Sequence, residues 1–118
     1  MEIQEILEYN KRCAEFLNLH RDEEVVIYNM HSYCYDLLKF HSDWNWIMEV
    51  KNQICNSPKV DEFNTSYDSV ANGYHCEILP AHNNTFEPFR TRILPSEREA
   101  VVIAINQFLI WFKQNKTK

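Results

Sequence analysis

Apolar side chains recur at helical intervals in three stretches of the chain, which predicts three helices. The first covers residues 3–17, and Asn18 is a typical helix end. The second covers residues 43–55, with Ser42 placed to cap its first turn. The third covers residues 96–115, where a serine followed three residues later by a glutamate forms a capping box.

Other stretches carry residues typical of β-strands. β-Branched side chains dominate residues 25–30, and two strand-like runs occupy residues 60–69 and 74–79. An Asn-Gly pair at 72–73 lies between these two runs and is a strong β-hairpin signal. Residues 89–93 could add a fourth strand, at the edge of the sheet, inside a polar connector that contains several prolines.

These elements predict an α+β fold, with an antiparallel sheet of three or four strands packed against three helices, in the order α-β-α-β-β-(β)-α. Trp46 lies on the apolar side of the second helix and is expected to pin it. Residues 31–41 fit a strand, a short helix or a loop. The length of 118 residues suits a single domain, residues 1–118. The third helix is apolar almost all round, which places it at the centre of the fold or against a second copy of the chain.

Acidic residues outnumber basic ones, and the excess is confined to the first part of the chain. The formal net charge is −5. Residues 1–68 hold 13 acidic and 6 basic side chains, whereas residues 69–118 hold 4 and 6. This balance disfavours broad nucleic-acid binding, which needs a basic face, and suits a basic protein partner or a small anion. No apolar run reaches the roughly 20 residues of a membrane span, so we expect a cytoplasmic protein without membrane contact.

The sequence excludes several kinds of catalytic machinery. Gly73 is the only glycine, whereas Walker loops and dinucleotide fingerprints each need several. His31 and Cys34 have half of the spacing of a zinc site, but no second pair of that kind accompanies them. We therefore expect no catalytic residues, no metal and no cofactor. The four cysteines are expected to be reduced, since no secretory segment is evident.

Five residues are candidates for holding a ligand. Arg90 and Arg92 are two apart on the predicted edge strand, so both should point to one side, where two guanidinium groups can grip a phosphate or carboxylate. Trp44 diverges by about 200° from the other tryptophan of its helix and cannot share that core layer. Trp44 or Tyr74 would stack on a base, and His41 lies nearby in the sequence. The alternatives are an ordinary exposed strand face for the arginines and a sealing or partner-contacting role for the tryptophan.

A distinctive motif occurs at residues 40–50, which read Phe-His-Ser-Asp-Trp-Asn-Trp-Ile-Met-Glu-Val. It resembles a Phe/Tyr-His-x-x-Trp-Asp/Asn-Trp-Leu/Ile-Met segment in a group of small uncharacterised proteins from phages and prophages of gut-type bacteria. Residues 11–17 and 99–112 are similar to the first and last helices of that group. The chain departs from the group at residues 51–53 and in the connector 80–95. The resemblance implies a phage accessory protein rather than a housekeeping enzyme.

These features together predict a non-enzymatic phage accessory protein, located in the host cytoplasm, that antagonises host defence by binding. Its partner would be a small nucleotide signal that it sequesters or a host defence protein that it blocks. The first alternative is a small hydrolase acting on a nucleotide or amide, which would use His41 with Asp43, or a cysteine. The second alternative is an oligomerisation or scaffold module, a homo-oligomer built around the 96–115 helix.

Overall fold

The computed structural model describes residues 2–19, 25–28, 30–81 and 87–115. In chain order, its elements are α1 (Ile3–Phe16), β1 (Val25–Tyr28), β2 (His31–Cys34), a short 3₁₀ helix (Tyr35–Leu37), α2 (Trp44–Cys55), β3 (Val60–Asp68), β4 (Gly73–Pro80), β5 (Phe89–Arg90) and α3 (Glu97–Asn115). This content confirms the predicted α+β class, and the predicted order holds with one strand added in the ambiguous segment 31–41. Asn29 of the predicted first strand and residues 82–86 of the predicted connector lie outside the described residues.

The strands form two antiparallel sheets, one in each of two compact units. The chain divides into Met1–Val50 and Lys51–Lys118, with the boundary inside α2. The first unit holds the hairpin β1–β2, and the second holds the sheet β3–β4–β5. The strands are therefore shared between two sheets, where the sequence suggested one. The single domain over residues 1–118 stays a prediction.

Helix α1 ends at a left-handed asparagine. Asn18 has a φ of 55°, a conformation that glycine and asparagine adopt more readily than other residues. Its amide donates to the carbonyl of Glu15, and the amide of Leu19 donates to that of Ala14, which are the two hydrogen bonds of a Schellman motif. The predicted end of the first helix at Asn18 is thereby confirmed.

A buried asparagine ties α1 to the 3₁₀ helix. Asn10 is fully buried, and its Nδ2 donates to the carbonyl oxygens of Tyr35 at 2.8 Å and Leu38 at 3.2 Å. Because burying an N–H group without a partner costs free energy, these two bonds fix where the 3₁₀ segment lies along α1. Sequence reasoning missed this role, because Asn10 lies on a helix face that otherwise carries apolar residues.

Helix α2 is capped by Asp43, not by Ser42 as the sequence suggested. The Oδ1 of Asp43 accepts a hydrogen bond from the amide of Asn45 at 2.9 Å, and its carbonyl accepts the first helical bond, from Ile47. The helix accordingly begins at Trp44, one residue later than predicted. A carboxylate at this position accepts a hydrogen bond from an amide that has no partner within the helix. Its negative charge also interacts favourably with the positive end of the helix dipole, whereas a serine hydroxyl carries no such charge.

Trp46 pins α2 through packed rings, as predicted. Its ring stacks on that of Tyr28 at 4.2 Å and meets those of Phe40 and Tyr33 edge-on at 5.1 and 5.3 Å. Aromatic pairs of this kind contribute about 0.5–1.5 kcal/mol each beyond the area that they bury. The cluster therefore anchors the start of α2 within the first unit.

The second unit is built on the hairpin β3–β4, which the Asn-Gly pair correctly marks. Asp68 pairs with Gly73, so the loop contains the four residues 69–72 rather than the Asn-Gly pair alone. The Oδ1 of Asp68 accepts hydrogen bonds from two loop amides, and Asn72 takes the left-handed conformation with a φ of 54°. The asparagine thus makes the turn, while the glycine is already the first residue of β4.

Position 73 has no room for a side chain larger than that of glycine. A Cβ built on it would lie 2.5 Å from Cγ2 of Ile93 and 2.8 Å from the carbonyl oxygen of Leu94. The segment after β5 carries a bulge at this point: Tyr74 pairs with Leu94, whereas an unbroken continuation of β5 would pair it with Ile93. One extra residue is therefore inserted into the edge of the sheet beside Gly73.

Helix α3 covers one face of this sheet. Phe63, Ile78 and Phe89 lie opposite one another on the three strands and therefore share a face. The ring of Phe89 lies edge-on to that of Phe108 on α3, with centroids 6.1 Å apart. The apolar side chains that α3 buries are Ala100, Val101, Val102, Ala104, Ile105, Phe108 and Leu109.

The start of α3 follows the predicted cap. The Oγ of Ser96 accepts a hydrogen bond from the amide of Glu99 at 3.3 Å, and its carbonyl accepts one from the amide of Ala100. Ser96 is therefore the N-cap, and the helix continues to Asn115 as the sequence predicted.

Replacing Gly73 by alanine tests the close approach at the bulge. The added methyl group would meet Ile93 and the backbone of Leu94, and overpacking of this kind destabilises a protein by about 1–3 kcal/mol. We expect a lower urea midpoint for Gly73→Ala, followed by circular dichroism. Ser69→Ala, in the exposed hairpin loop, is the control and should keep the parent midpoint. Equal midpoints for the two variants would contradict the packing around Gly73.

Candidate functional site

The five candidate ligand-binding residues are shared between the two units. The first unit contains His41 and Trp44, and the second contains Tyr74, Arg90 and Arg92. All five lie within the described residues. The arrangement inside each unit decides which of them can act on one ligand there.

Arg90 is engaged by a carboxylate on the neighbouring strand. It lies directly opposite Glu77 across β4 and β5, and its Nε donates to Oε2 of Glu77 at 3.0 Å. The Arg90 side chain is 60% exposed, so solvent screens this ion pair and its contribution to stability is small. Its effect is geometric, because it holds the guanidinium group beside the carboxylate of Glu77 on the neighbouring strand.

Tyr74 lies on the other face of the sheet from Arg90. Side chains alternate between faces along a strand, and Tyr74 is three residues from Glu77, the partner of Arg90. The ring of Tyr74 instead lies 5.1 Å from that of Tyr67, its partner on β3, whose hydroxyl donates to Oδ1 of Asn72 at 2.7 Å. The structure therefore does not bring Tyr74 to the side of the sheet that carries Arg90.

Arg92 follows the end of β5. The strand stops at Arg90, and the extra residue of the bulge falls between Thr91 and Leu94. The regular alternation that would place Arg90 and Arg92 on one side therefore ends before Arg92. Arg92 is an exposed residue, so it stays a candidate for anion binding, without the strand geometry that the sequence suggested.

The face of the sheet opposite α3 is polar. Asn64, Glu77 and Arg90 form one cross-strand row on it, and Ser66 and His75 form the next. The Nδ1 of His75 is buried without a hydrogen-bond partner among the described residues. The sequence did not reveal this set, because its members come together only through the β3–β4 register.

Trp44 is the most exposed aromatic residue of the motif at residues 40–50. Its side chain is 40% exposed, and Met48, one helical turn later, is 37% exposed. Residues four apart lie side by side on a helix, so the two form an apolar ridge along the start of α2. The ridge is defined here as Trp44 and Met48.

Asp43 already has a structural role beside His41. Its carboxylate accepts the amide of Asn45 as the cap of α2, while His41 is half-buried in the preceding turn. A hydrolase that used His41 with Asp43 would have to share this carboxylate with the helix cap.

A tyrosine–glutamate hydrogen bond, which sequence reasoning missed, joins β1 to α2. Tyr28 is a buried residue, and its partly buried hydroxyl donates to Oε2 of Glu49. Burial, and then the hydrogen bond to Glu49 and its charge, raise the pKa of Tyr28 well above its ordinary value. The helical spacing of Trp46 and Glu49, which are three apart, was the available signal, since both then face Tyr28.

The cysteines divide into two buried and two exposed thiols, all of them free. Cys13 and Cys76 are buried, whereas Cys34 and Cys55 are exposed. Burial raises the pKa of Cys76 to about 11, and that of Cys13 well above its ordinary value. Thiols with raised pKa values stay protonated at neutral pH and are poor nucleophiles. The two buried cysteines therefore act as small apolar side chains.

The described residues contain neither a cluster suited to a metal ion nor a helix suited to spanning a membrane. Among the described residues, no group of three or more His, Cys, Asp or Glu side chains could hold a metal ion. Within those residues, none of the helices has both the length and the apolar character needed to cross a membrane.

Comparisons with known proteins return no relatives. No family model matches the chain, and neither a curated protein nor a solved structure matches it.

Thiol labelling tests the division of the cysteines into two buried and two exposed thiols. In the folded protein at pH 8, iodoacetamide should modify Cys34 and Cys55, and in urea all four cysteines, as counted by mass spectrometry. In the Cys34→Ser/Cys55→Ser variant, the folded protein should stay unlabelled. Rapid labelling of Cys76 in that variant would contradict the assignment.

The stability of the Cys34→Ser/Cys55→Ser variant should depend on pH. The unfolded chain ionises its thiols near the ordinary value of 9.0, whereas folded Cys76 holds its proton to about 11. The stabilising contribution is therefore complete below pH 9.0 and declines as the pH rises towards 11. We expect the free energy of unfolding to fall over that interval, and Cys76→Ala should reduce the fall.

Proposed function

We propose that this chain is a non-enzymatic phage accessory protein that acts in the host cytoplasm and antagonises host defence by binding and blocking a defence protein. The observation that carries the proposal is the ridge of Trp44 and Met48 on α2. It lies inside the motif at residues 40–50, the segment by which the chain resembles small phage and prophage proteins.

The chemistry of the ridge suits a protein partner. Tryptophan and methionine are enriched in protein–protein interfaces, and tryptophan is among the commonest hot-spot residues. A partner that covers Trp44 would remove its remaining exposed area from water. The acidic balance of residues 1–68 favours a partner with a basic surface around this contact.

The ridge is held in place before any partner arrives. Asp43 caps the helix, and Trp46 packs on Tyr28 and Phe40 on the inner side. A side chain displayed on an anchored helix loses less conformational entropy on binding than one on a free loop. This arrangement supports recognition rather than a structural sealing role for Trp44.

Blocking a protein is better supported than sequestering a nucleotide. In the second unit, Arg90 is paired with Glu77, and Tyr74 lies on the opposite face of the sheet. A nucleotide held there would lack the ring that was expected to stack on its base. The homo-oligomer built around α3 stays a prediction, and Ile110 on that helix is 38% exposed.

Phage plating tests the proposal. The protein is expressed in host strains that each carry one defence system, and the plating efficiency of a sensitive phage is measured. We expect it to be restored on at least one strain, and Trp44→Ala to weaken this effect, because loss of a hot-spot side chain of about 2 kcal/mol lowers affinity about 30-fold. Failure on every strain would contradict the proposed function.

Two variants sharpen the comparison. Met30→Ala, an exposed methionine outside α2, is the control and should restore plating fully. Arg90→Ala/Arg92→Ala should also restore plating if a protein is blocked, and would lose the effect if a nucleotide were sequestered. A Trp44→Ala protein that is folded by circular dichroism and fully active would rule out the ridge.

A further inference from the structure

The outer edge of β3 is an unpaired strand edge. β3 is the end member of the order β3–β4–β5, and no strand among the described residues pairs with its outer side. It spans nine residues, and its sequence contains neither lysine nor proline, which are common devices for protecting an edge. Its side chains at Asp61, Glu62, Asn64, Ser66 and Tyr67 are exposed.

The hydrogen bonds between β4 and the segment after β5 show which way the backbone groups of β4 point. Tyr74 and Leu94 exchange two backbone hydrogen bonds, each of 2.7 Å, so the N–H and C=O of Tyr74 point towards the β5 edge. Alternate residues of an antiparallel strand bond to opposite sides, so the groups of His75 point to β3. Ser66, directly opposite His75, therefore uses its own groups for the β3–β4 pair.

The same alternation identifies the groups on the open edge. Since Ser66 points inward, the backbone N–H and C=O of Phe63, Thr65 and Tyr67 point outward. Those three residues present a short ladder of donors and acceptors with the spacing of a β-strand. Such a ladder is what an extended peptide pairs with when it adds to a sheet.

The side chains beside this edge have opposite characters on the two faces. Glu62 and Asp68 lie on the polar face, whereas Phe63 and Tyr67 lie on the face that α3 covers, where Tyr67 is 53% exposed. The side chains of an added strand would lie next to these, on the same two faces. The matching segment therefore carries basic residues alternating with apolar ones.

A second copy of β3 is a poor occupant of this edge. The strand carries three acidic residues and no basic one, so pairing it with itself would gather six carboxylates on two adjacent strands. Like charges on neighbouring strands destabilise their pairing. Charge complementarity favours a basic segment from another protein.

We propose that the outer edge of β3 binds an extended segment of a partner protein, with basic and apolar residues in alternation, as an added β-strand. This inference does not rest on the proposed function. Its test uses a synthetic peptide and no defence protein, so the two can fail separately.

The probe is a peptide of alternating lysine and valine with the length of β3, and the comparison peptide alternates glutamate and valine. We expect the lysine peptide to bind about tenfold or more tightly by fluorescence anisotropy at low salt, and to weaken as salt is added. On binding, the amides of Phe63, Thr65 and Tyr67 should gain protection from hydrogen exchange in NMR spectra. Equal affinity for both peptides, or no gain in protection, would overturn the proposal.

Variants separate strand addition from general charge attraction. Thr65→Pro removes an outward N–H that β4 does not use, so it should abolish peptide binding, while Thr65→Val keeps the N–H and should bind normally. Glu62→Gln/Asp68→Asn should weaken binding, and Glu5→Gln/Asp36→Asn in the first unit should not. Normal binding by a folded Thr65→Pro protein, or self-association of the parent chain lost in that variant, would overturn the proposal.

Discussion

The hydrogen-bonding register between β3 and β4 is the constraint on which the second unit depends. It places Phe63 and Ile78 on the face that packs against α3, and Glu77 with its partner Arg90 on the other. A slip of one residue would exchange the two faces and expose the apolar set to water. The same register turns the amide of Thr65 outward. One strand pairing therefore decides both which side chains lie on each face of the sheet and which backbone groups lie on its open edge.

In the first unit, buried groups hold one exposed side chain, that of Trp44, in position. Trp46 and the Tyr28–Glu49 hydrogen bond fix the inner side of α2, and Asp43 closes its first turn. Trp44 is then displayed on the outer side of a helix that is already ordered.

Local signals predicted much of the fold. Asn18 ends α1 and Ser96 begins α3 because a cap depends on residues within one helical turn. The candidate site was less predictable. Arg90 and Tyr74 lie on opposite faces of the sheet because of the register between strands, which cannot be read from the sequence. Gly73 shows the same limit: an Asn-Gly pair signals a turn, but the need for space arises from a bulge in another strand. Helical geometry alone predicted that Trp44 cannot share the core layer of Trp46, and it left a sealing role, a partner contact and a site wall as alternatives.

Amide hydrogen exchange measured residue by residue along β3 in the free protein tests the register most directly. Amides that point to β4 are hydrogen-bonded in the sheet, whereas amides on the open edge contact water. The account predicts slow exchange at Asn64 and Ser66 and fast exchange at Phe63, Thr65 and Tyr67. Slow exchange at the odd-numbered positions with fast exchange at the even-numbered ones would contradict it, and so would equal protection at all five.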